Sequence, residues 1–299
     1  MGKRRNWSQY NRHLVNRGNI NFWISPDLVK KWKAKKSKKI GRPFIYSDCL
    51  IEAICYLRFQ FKLSLRSTQG LFQSLVKAMG WAMPIPSYSQ ICRRMRILIV
   101  EKSFRKRADI TDIILDTTGL KVFGAGEWKH KKYGGRRRWK KLHLAMDANT
   151  GEIILAEISD EHVHDTTYVE KALQQGNRRK GKLLIDGIGD SKKMYELADS
   201  YNKELMTPPR NGGVIRKEKA LAKRNEAIQI IKGLGGDKLA RSIWSKLTGY
   251  NKRVEVESLM ARWKSLYGGG LKSREEDSQR VEVCLKAKMI NKMIRAQAA

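Results

Sequence analysis

The sequence predicts a mixed α/β sheet, preceded by a helical region and followed by further helices. Three observations carry this expectation. Apolar residues recur at helical spacing through the first hundred positions. From about residue 108 the texture changes to short β-rich runs, three joined by short connections and two more separated by helices. Beyond residue 217 helical spacing returns. Strands joined closely, then alternating with helices, describe a sheet with antiparallel and parallel parts.

The elements follow in order. Ser25-Pro26-Asp27 reads as a helix start, with serine as cap and proline where its missing N–H costs nothing. Gly41-Arg42-Pro43 breaks the chain. Ser47-Asp48 opens the next helix, whose Leu50, Ile51, Ile54 and Leu57 share a face. A third carries Leu71, Phe72, Leu75, Val76 and Met79. After Pro84-Ile85-Pro86, Ser87 caps a short basic helix through Gln90, Arg93, Arg94 and Arg96. Such helices in tandem fit a helix-turn-helix reader of DNA equally with a small bundle bearing solvated arginines. Asp112–Phe123, Arg138–Met146 and Glu152–Ile158 are the three meander strands, the last two joined at Asn149-Thr150-Gly151. A helix over Thr166–Leu173, a strand over Lys182–Asp186, a helix near Lys192–Leu197 and a strand at Leu205–Thr207 complete the sheet.

Composition limits the function. The 299 residues hold 62 Lys and Arg against 29 Asp and Glu, a formal charge of +33. An excess of that size implies polyanionic partners. A hydrophobic fraction of 41% with 8 Trp, 10 Tyr and 7 Phe supplies a real core, so a disordered basic tail is excluded as the whole molecule. No apolar run is long enough to span a bilayer, and Met1–Tyr10 lacks an apolar signal core, which points away from membranes and secretion. The four cysteines form no CxxC pair, so no zinc or disulfide framework is indicated. A cytoplasmic, nucleoid-associated protein that handles nucleic acid is expected. Lys30–Arg42 and Lys129–Lys141 concentrate the cations. The second run, with Arg136, Arg137, Arg138 and Lys140 around Trp139, suits phosphate contacts with base stacking.

Three carboxylates are candidates for chemistry. Asp116 lies inside an apolar strand, where an unpaired charge is costly. Asp186 ends a strand, where α/β sheets build their sites, although taken by itself it reads first as a cap of the next turn. Glu257 belongs to a helix read over Tyr250–Tyr267. There Tyr250, Arg253, Glu257 and Lys264 form one stripe beside an apolar face of Val256, Leu259, Met260, Trp263, Leu266 and Tyr267. An ordinary Arg253–Glu257 helix pair explains part of that stripe. His164-Asp165 reads as a turn organiser, and His143 faces either DNA or the core.

The spacing Tyr250-x2-Arg253-x3-Glu257-x6-Lys264 resembles the YREK signature of bacterial insertion-sequence transposases of the DDE class. Further text resembles the insertion-sequence-five family. It includes Asn6–Tyr10, Leu14–Gly18, Phe22–Ser25, Gly41-Arg42-Pro43, Leu115–Val122, Glu127-Trp128-Lys129, Lys141–Ala145, Val163-His164-Asp165 and Pro208-Pro209-Arg210. The resemblance covers nearly the whole chain. It implies residues 1–105 as a helical DNA-binding region with a candidate helix-turn-helix. Residues 106–299 would then be an RNase-H-like catalytic domain with a helical insertion at about 212–248. It implies Asp116, Asp186 and Glu257 as a catalytic triad for two Mg²⁺ ions, with Mn²⁺ able to substitute. Tyr250, Arg253 and Lys264 would hold DNA near them, and Arg93 and Arg94 are further candidate contacts. The implied partners are double-stranded DNA (terminal inverted repeats and target) and further copies of the chain. One departure stands out. The family usually reads Gly-Asp-Gly-Ala-Tyr-Asp around the second aspartate; here the text is Ile185-Asp186-Gly187-Ile188-Gly189-Asp190. A catalytically inactive, DNA-binding copy is therefore the rival expectation.

Overall fold

The computed structural model describes residues 6–35, 41, 43–98, 109–123 and 139–298. The chain divides into two compact units. One combines residues 1–101 with 271–299, and the other is residues 102–270. Residues 271–299 pack with the N-terminal helices, a long-range choice that no local pattern encodes.

The helical unit contains α1 (Trp7–Asn16), α2 (Ile20–Trp23), α3 (Asp48–Gln60), α4 (Leu65–Ala78) and α5 (Tyr88–Arg96). Ser25 caps a 3-10 turn over Pro26–Lys31 rather than an α-helix. Ser47 and Ser64 accept from backbone N–H groups three residues on, starting α3 and α4. Ser87 and Gln90 form a reciprocal capping box at α5. The Trp32 ring stacks on Phe72 at 5.7 Å, and its indole N–H donates to the Pro84 carbonyl at 2.7 Å. The last helix, Glu276–Ala298, packs against α1, α3 and α5. Its Glu282 and Lys286 form a buried ion pair at 2.6 Å. Glu282 also accepts from the Lys272 and Ser273 backbone N–H groups, so both its oxygens are used.

The second unit is a five-stranded sheet of order β3-β2-β1-β4-β5. Its strands are β1 (Ile113–Lys121), β2 (Trp139–Asp147), β3 (Ile153–Asp160), β4 (Gly181–Leu184) and β5 (Lys203–Met206). β1, β2 and β3 pair antiparallel, while β4 and β5 run parallel to β1. That order and those directions define an RNase-H-like sheet. A 3-10 turn (Asp165–Tyr168) leading into α6 (Val169–Leu173) connects β3 to β4, and α7 (Lys192–Ser200) connects β4 to β5. The core between sheet and helices includes Ile113, Leu115, Val169, Leu183, Ile185, Met194 and Tyr195. Further helices are α8 (Ala222–Gly233), α9 (Lys238–Thr248) and α10 (Val254–Tyr267). α10 lays Val256, Leu259, Met260, Trp263 and Tyr267 inward and contacts β1 and β2.

Candidate active site

Strand register brings the first two carboxylates together. β1 and β4 pair in parallel as Ile113↔Leu183 and Ile114↔Leu184. The same register carried two residues further sets Asp116 level with Asp186. Regular pairing has ended there, and neighbouring parallel strands lie about 4.8 Å apart. Asp116 and Asp186 accordingly line one pocket, with Leu115, Thr117, Asp165 and Ile188 among its walls. This is the carboxyl end of a parallel strand pair, where open α/β sheets place their sites.

Each aspartate is held differently. Asp116 Oδ1 accepts from the Thr117 N–H at 2.8 Å, and Oδ2 accepts from Arg253 Nη1 at 2.6 Å. Asp186 Oδ1 accepts from the Ile188 N–H at 3.1 Å. The backbone around Asp186 is pinned by three hydrogen bonds. The Ile185 N–H donates to the Met206 carbonyl, Thr207 Oγ1 donates to the Asp186 carbonyl at 2.6 Å, and Tyr250 Oη donates to the Ile185 carbonyl at 3.1 Å. Burial raises the Asp186 carboxyl above its ordinary range, and the neighbouring charges of Asp116 and Asp165 push the same way. The part of that shift due to Asp116 and Asp165 is mutual repulsion, which a cation between the carboxylates would relieve.

Glu257 joins through arginine. Arg253 Nη2 donates to Glu257 Oε1 at 3.0 Å while Nη1 holds Asp116, so one guanidinium bridges two of the three sequence-predicted acids. Burial works against the Arg253 charge, but Asp116, Tyr250 and Glu257 outweigh it and hold the group more firmly protonated. Lys264 lies exposed in the last turn of α10. Tyr250 departs from the predicted stripe. Gly249 takes φ +77° and closes α9, and Tyr250–Arg253 form a 3-10 turn before α10 begins. The phenol therefore turns inward to Ile185, and burial pushes its pKa up to about 12. Among the described residues, no three His, Cys, Asp or Glu side chains are gathered closely enough to hold a metal ion. Asp116 and Asp186 nevertheless offer the hard oxygen donors that a divalent ion of the Mg²⁺ kind takes.

Other predicted contacts fall in different places. Arg136, Arg137 and Arg138 lie outside the described residues. Lys140 pairs with Asp160 at 2.9 Å. Arg93 and Arg96 are exposed on α5. Arg94 requires a correction, because it is buried. Its guanidinium pairs with Asp48, donates to the Tyr46 carbonyl at 2.7 Å and lies 3.9 Å over the Phe44 ring. Those contacts fasten α5 to α3 and leave the group little freedom for DNA. His143 faces the core, between Thr117 Oγ1 at 3.1 Å and Ser159 Oγ at 2.7 Å, stacked on Tyr168.

A third acid lines the pocket that the sequence reading does not single out, Asp165. It begins the 3-10 turn after β3 and pairs with Lys141 at 3.1 Å. The signal was present in Val163-His164-Asp165, but a turn-organising role explained it too readily.

The altered text around Asp186 has a packing explanation. A Cβ built on Gly189 would lie 2.0 Å from Ile185 Cδ1 and 2.6 Å from Cγ1. The Ile185 side chain, itself buried, thus fills the space that a side chain at 189 would enter. Where the resembled family has small-then-large at these two positions, this chain has large-then-small.

An RNase-H-like sheet with one acid inside its central strand and another just beyond the neighbouring parallel strand sets the class of protein. Residues 107–292 match a family model described as a transposase DDE domain, and residues 15–125 match another of the same description. The chain belongs to the DDE transposase family. A cryo-EM structure of the piggyBac transposase synaptic complex with hairpin DNA is similar over 94% of this chain and 74% of that one. Their sequence identity is 12% and the TM-score 0.45. No described helix is long and apolar enough to cross a membrane.

Proposed function

We propose that the chain binds the terminal inverted repeats of an insertion sequence, cleaves the DNA at them and joins the freed 3′-hydroxyl to target DNA. The observation that carries this reading is the placement of Asp116 and Asp186 in one pocket, with Glu257 tied to Asp116 through Arg253. Asp116, Asp186 and Glu257 would hold two Mg²⁺ ions, or Mn²⁺ in their place. When bound, such ions activate the attacking water or 3′-hydroxyl and stabilise the leaving oxygen of an in-line phosphodiester displacement.

The chain's own groups do the positioning. Tyr250 fixes the backbone that presents Asp186. Arg253 can exchange its carboxylate partners for a phosphate, which a guanidinium grips in the same two-pronged way. Lys264 adds a point charge further along α10. Arg93, with its neighbour Arg96, would contact DNA from α5, and Arg136–Arg138 from the run beside β2. Two ends must be held together for joining, so a dimer or larger assembly on DNA belongs to this reading.

The test is cleavage of a labelled fragment carrying the element's own ends, with Mg²⁺ and the purified full chain. Asp116→Asn should spare end binding and abolish nicking, and nicking by that variant would overturn the assignment. Lys264→Ala should weaken binding and reduce the salt slope by about one. Specific binding by the native chain without any cutting would favour an inactive copy. Cutting indifferent to the ends would favour a general nuclease.

A further inference from the structure

Beside the carboxylate pocket lies a second cavity of opposite character. It encloses about 250 Å³, and its walls include Asp190, Ser191, Lys192, Arg210, Arg216 and Arg224. Four cations thus meet one acid. That acid is already spent, because Asp190 Oδ1 accepts from Arg224 Nε at 2.7 Å and Oδ2 accepts from the Arg210 N–H at 2.9 Å. Arg224 also donates to the Val214 carbonyl, so the buried Asp190–Arg224 pair frames the floor and contributes no free charge. The side chains of Arg210 and Arg216 are exposed and have no acid or hydrogen-bond partner among the described residues. Among the described residues Lys192 reaches only its helix neighbour Glu196, at 3.9 Å.

The helix geometry adds to this field. α7 begins at Lys192 directly after the wall residue Ser191, with no side-chain cap. The start of this helix, with the positive end of its dipole, lies in the cavity wall at Ser191 and Lys192. A helix start beside two arginines without acid partners among the described residues has the ingredients of an oxyanion site. At about 30 Å³ per water, the cavity has room for roughly eight waters, enough for a phosphate group with part of its hydration.

We propose that this cavity is a phosphate-binding site, distinct from the carboxylate pocket and built by Lys192, Arg210, Arg216 and the start of α7. The Asp186–Asp190 turn separates the two. Resting on the transposase reading, the phosphate would come from a DNA strand whose scissile bond lies over Asp116 and Asp186. A free phosphate compound is the other source of the same chemistry.

The probe is pyrophosphate, titrated calorimetrically into the full chain in EDTA, so that the readout needs neither cleavage nor metal. Arg216→Ala and Lys192→Ala, both exposed positions, should each weaken binding about tenfold, while Asp116→Asn and the remote Lys238→Ala should leave it unchanged. Displacement of pyrophosphate by a short duplex would assign the site to DNA. Retained pyrophosphate binding with no displacement would assign it to a free phosphate compound and leave the phosphate site standing. Absence of pyrophosphate binding, or equal weakening by Lys238→Ala, would overturn the site itself, whatever the cleavage assay shows.

Discussion

Exchanging residues 185 and 189 for the pair usual in the resembled family tests whether the turn around Asp186 is compensated or damaged. Tyrosine at 189 with Ile185 in place cannot fit without movement, since even a Cβ would approach Ile185 Cδ1 to 2.0 Å. Overpacking of this kind costs about 1–3 kcal/mol, and the full ring should reach the upper end. Ile185→Gly alone empties a buried site and adds backbone freedom, at about 3–5 kcal/mol. If the two residues share one space, the double variant should recover at least about 2 kcal/mol of the combined single losses, within the range of contacting pairs. The assay is a double-mutant cycle by urea denaturation, following the transition of the sheet unit. Additivity within about 0.5 kcal/mol would refute the shared-space argument and return weight to an inactive copy.

Other outcomes are equally specific. Arg224→Ala should destabilise the sheet unit by about 3–5 kcal/mol, because it leaves the Asp190 carboxylate, fully buried, without its cation; a loss below about 1 kcal/mol in denaturant titration would contradict that. His143 is held neutral, burial lowering its pKa to about 4. The unfolded chain therefore takes up a proton near pH 6.5 that the folded chain refuses until about 4, so stability falls as pH drops through that window. The loss should be about 2 kcal/mol by pH 5, and His143→Gln should flatten the profile. Arg253→Ala frees an oxygen each of Asp116 and Glu257 from a competing cation. Calorimetry should show tighter Mn²⁺ binding, by about fivefold for an interaction on the order of 1 kcal/mol at a partly exposed pair; weaker binding would mean that Arg253 supports the acids rather than competing for them.

What the sequence revealed follows the range of its signals. Alternation and turn chemistry are local, so the five strands and the placement of Asp116 inside β1 and Asp186 just beyond β4 were legible. Helical periodicity also held for the buried face of α10. The misreadings arose where local pattern was overruled. Arg94 looked like a cation on a basic helix, yet it shares a face with Ile91 and Met95, which are buried at helical spacing. That spacing was the available warning. Tyr250 was placed by a uniform helix, but the left-handed Gly249 and a 3-10 turn rotate it inward. Asp165 reaches the pocket only through the folding of β3 against its neighbours, which the linear text does not carry. The partnership of residues 271–299 with the first helices is likewise tertiary.

The split helical unit bears on how the protein is made. Val283, Leu285, Met289 and Ile290 supply core that Leu50, Ile54 and Phe59 cannot complete among themselves. A ribosome delivers the first helices early and these side chains only after the entire sheet unit has emerged. The sheet unit, contiguous in the chain, can close during synthesis, since domains generally fold as units. The helical unit must wait for the final segment. Its early helices keep apolar faces exposed while the sheet unit is made, and a nascent chain halted before residue 271 would carry a finished sheet and an unfinished bundle.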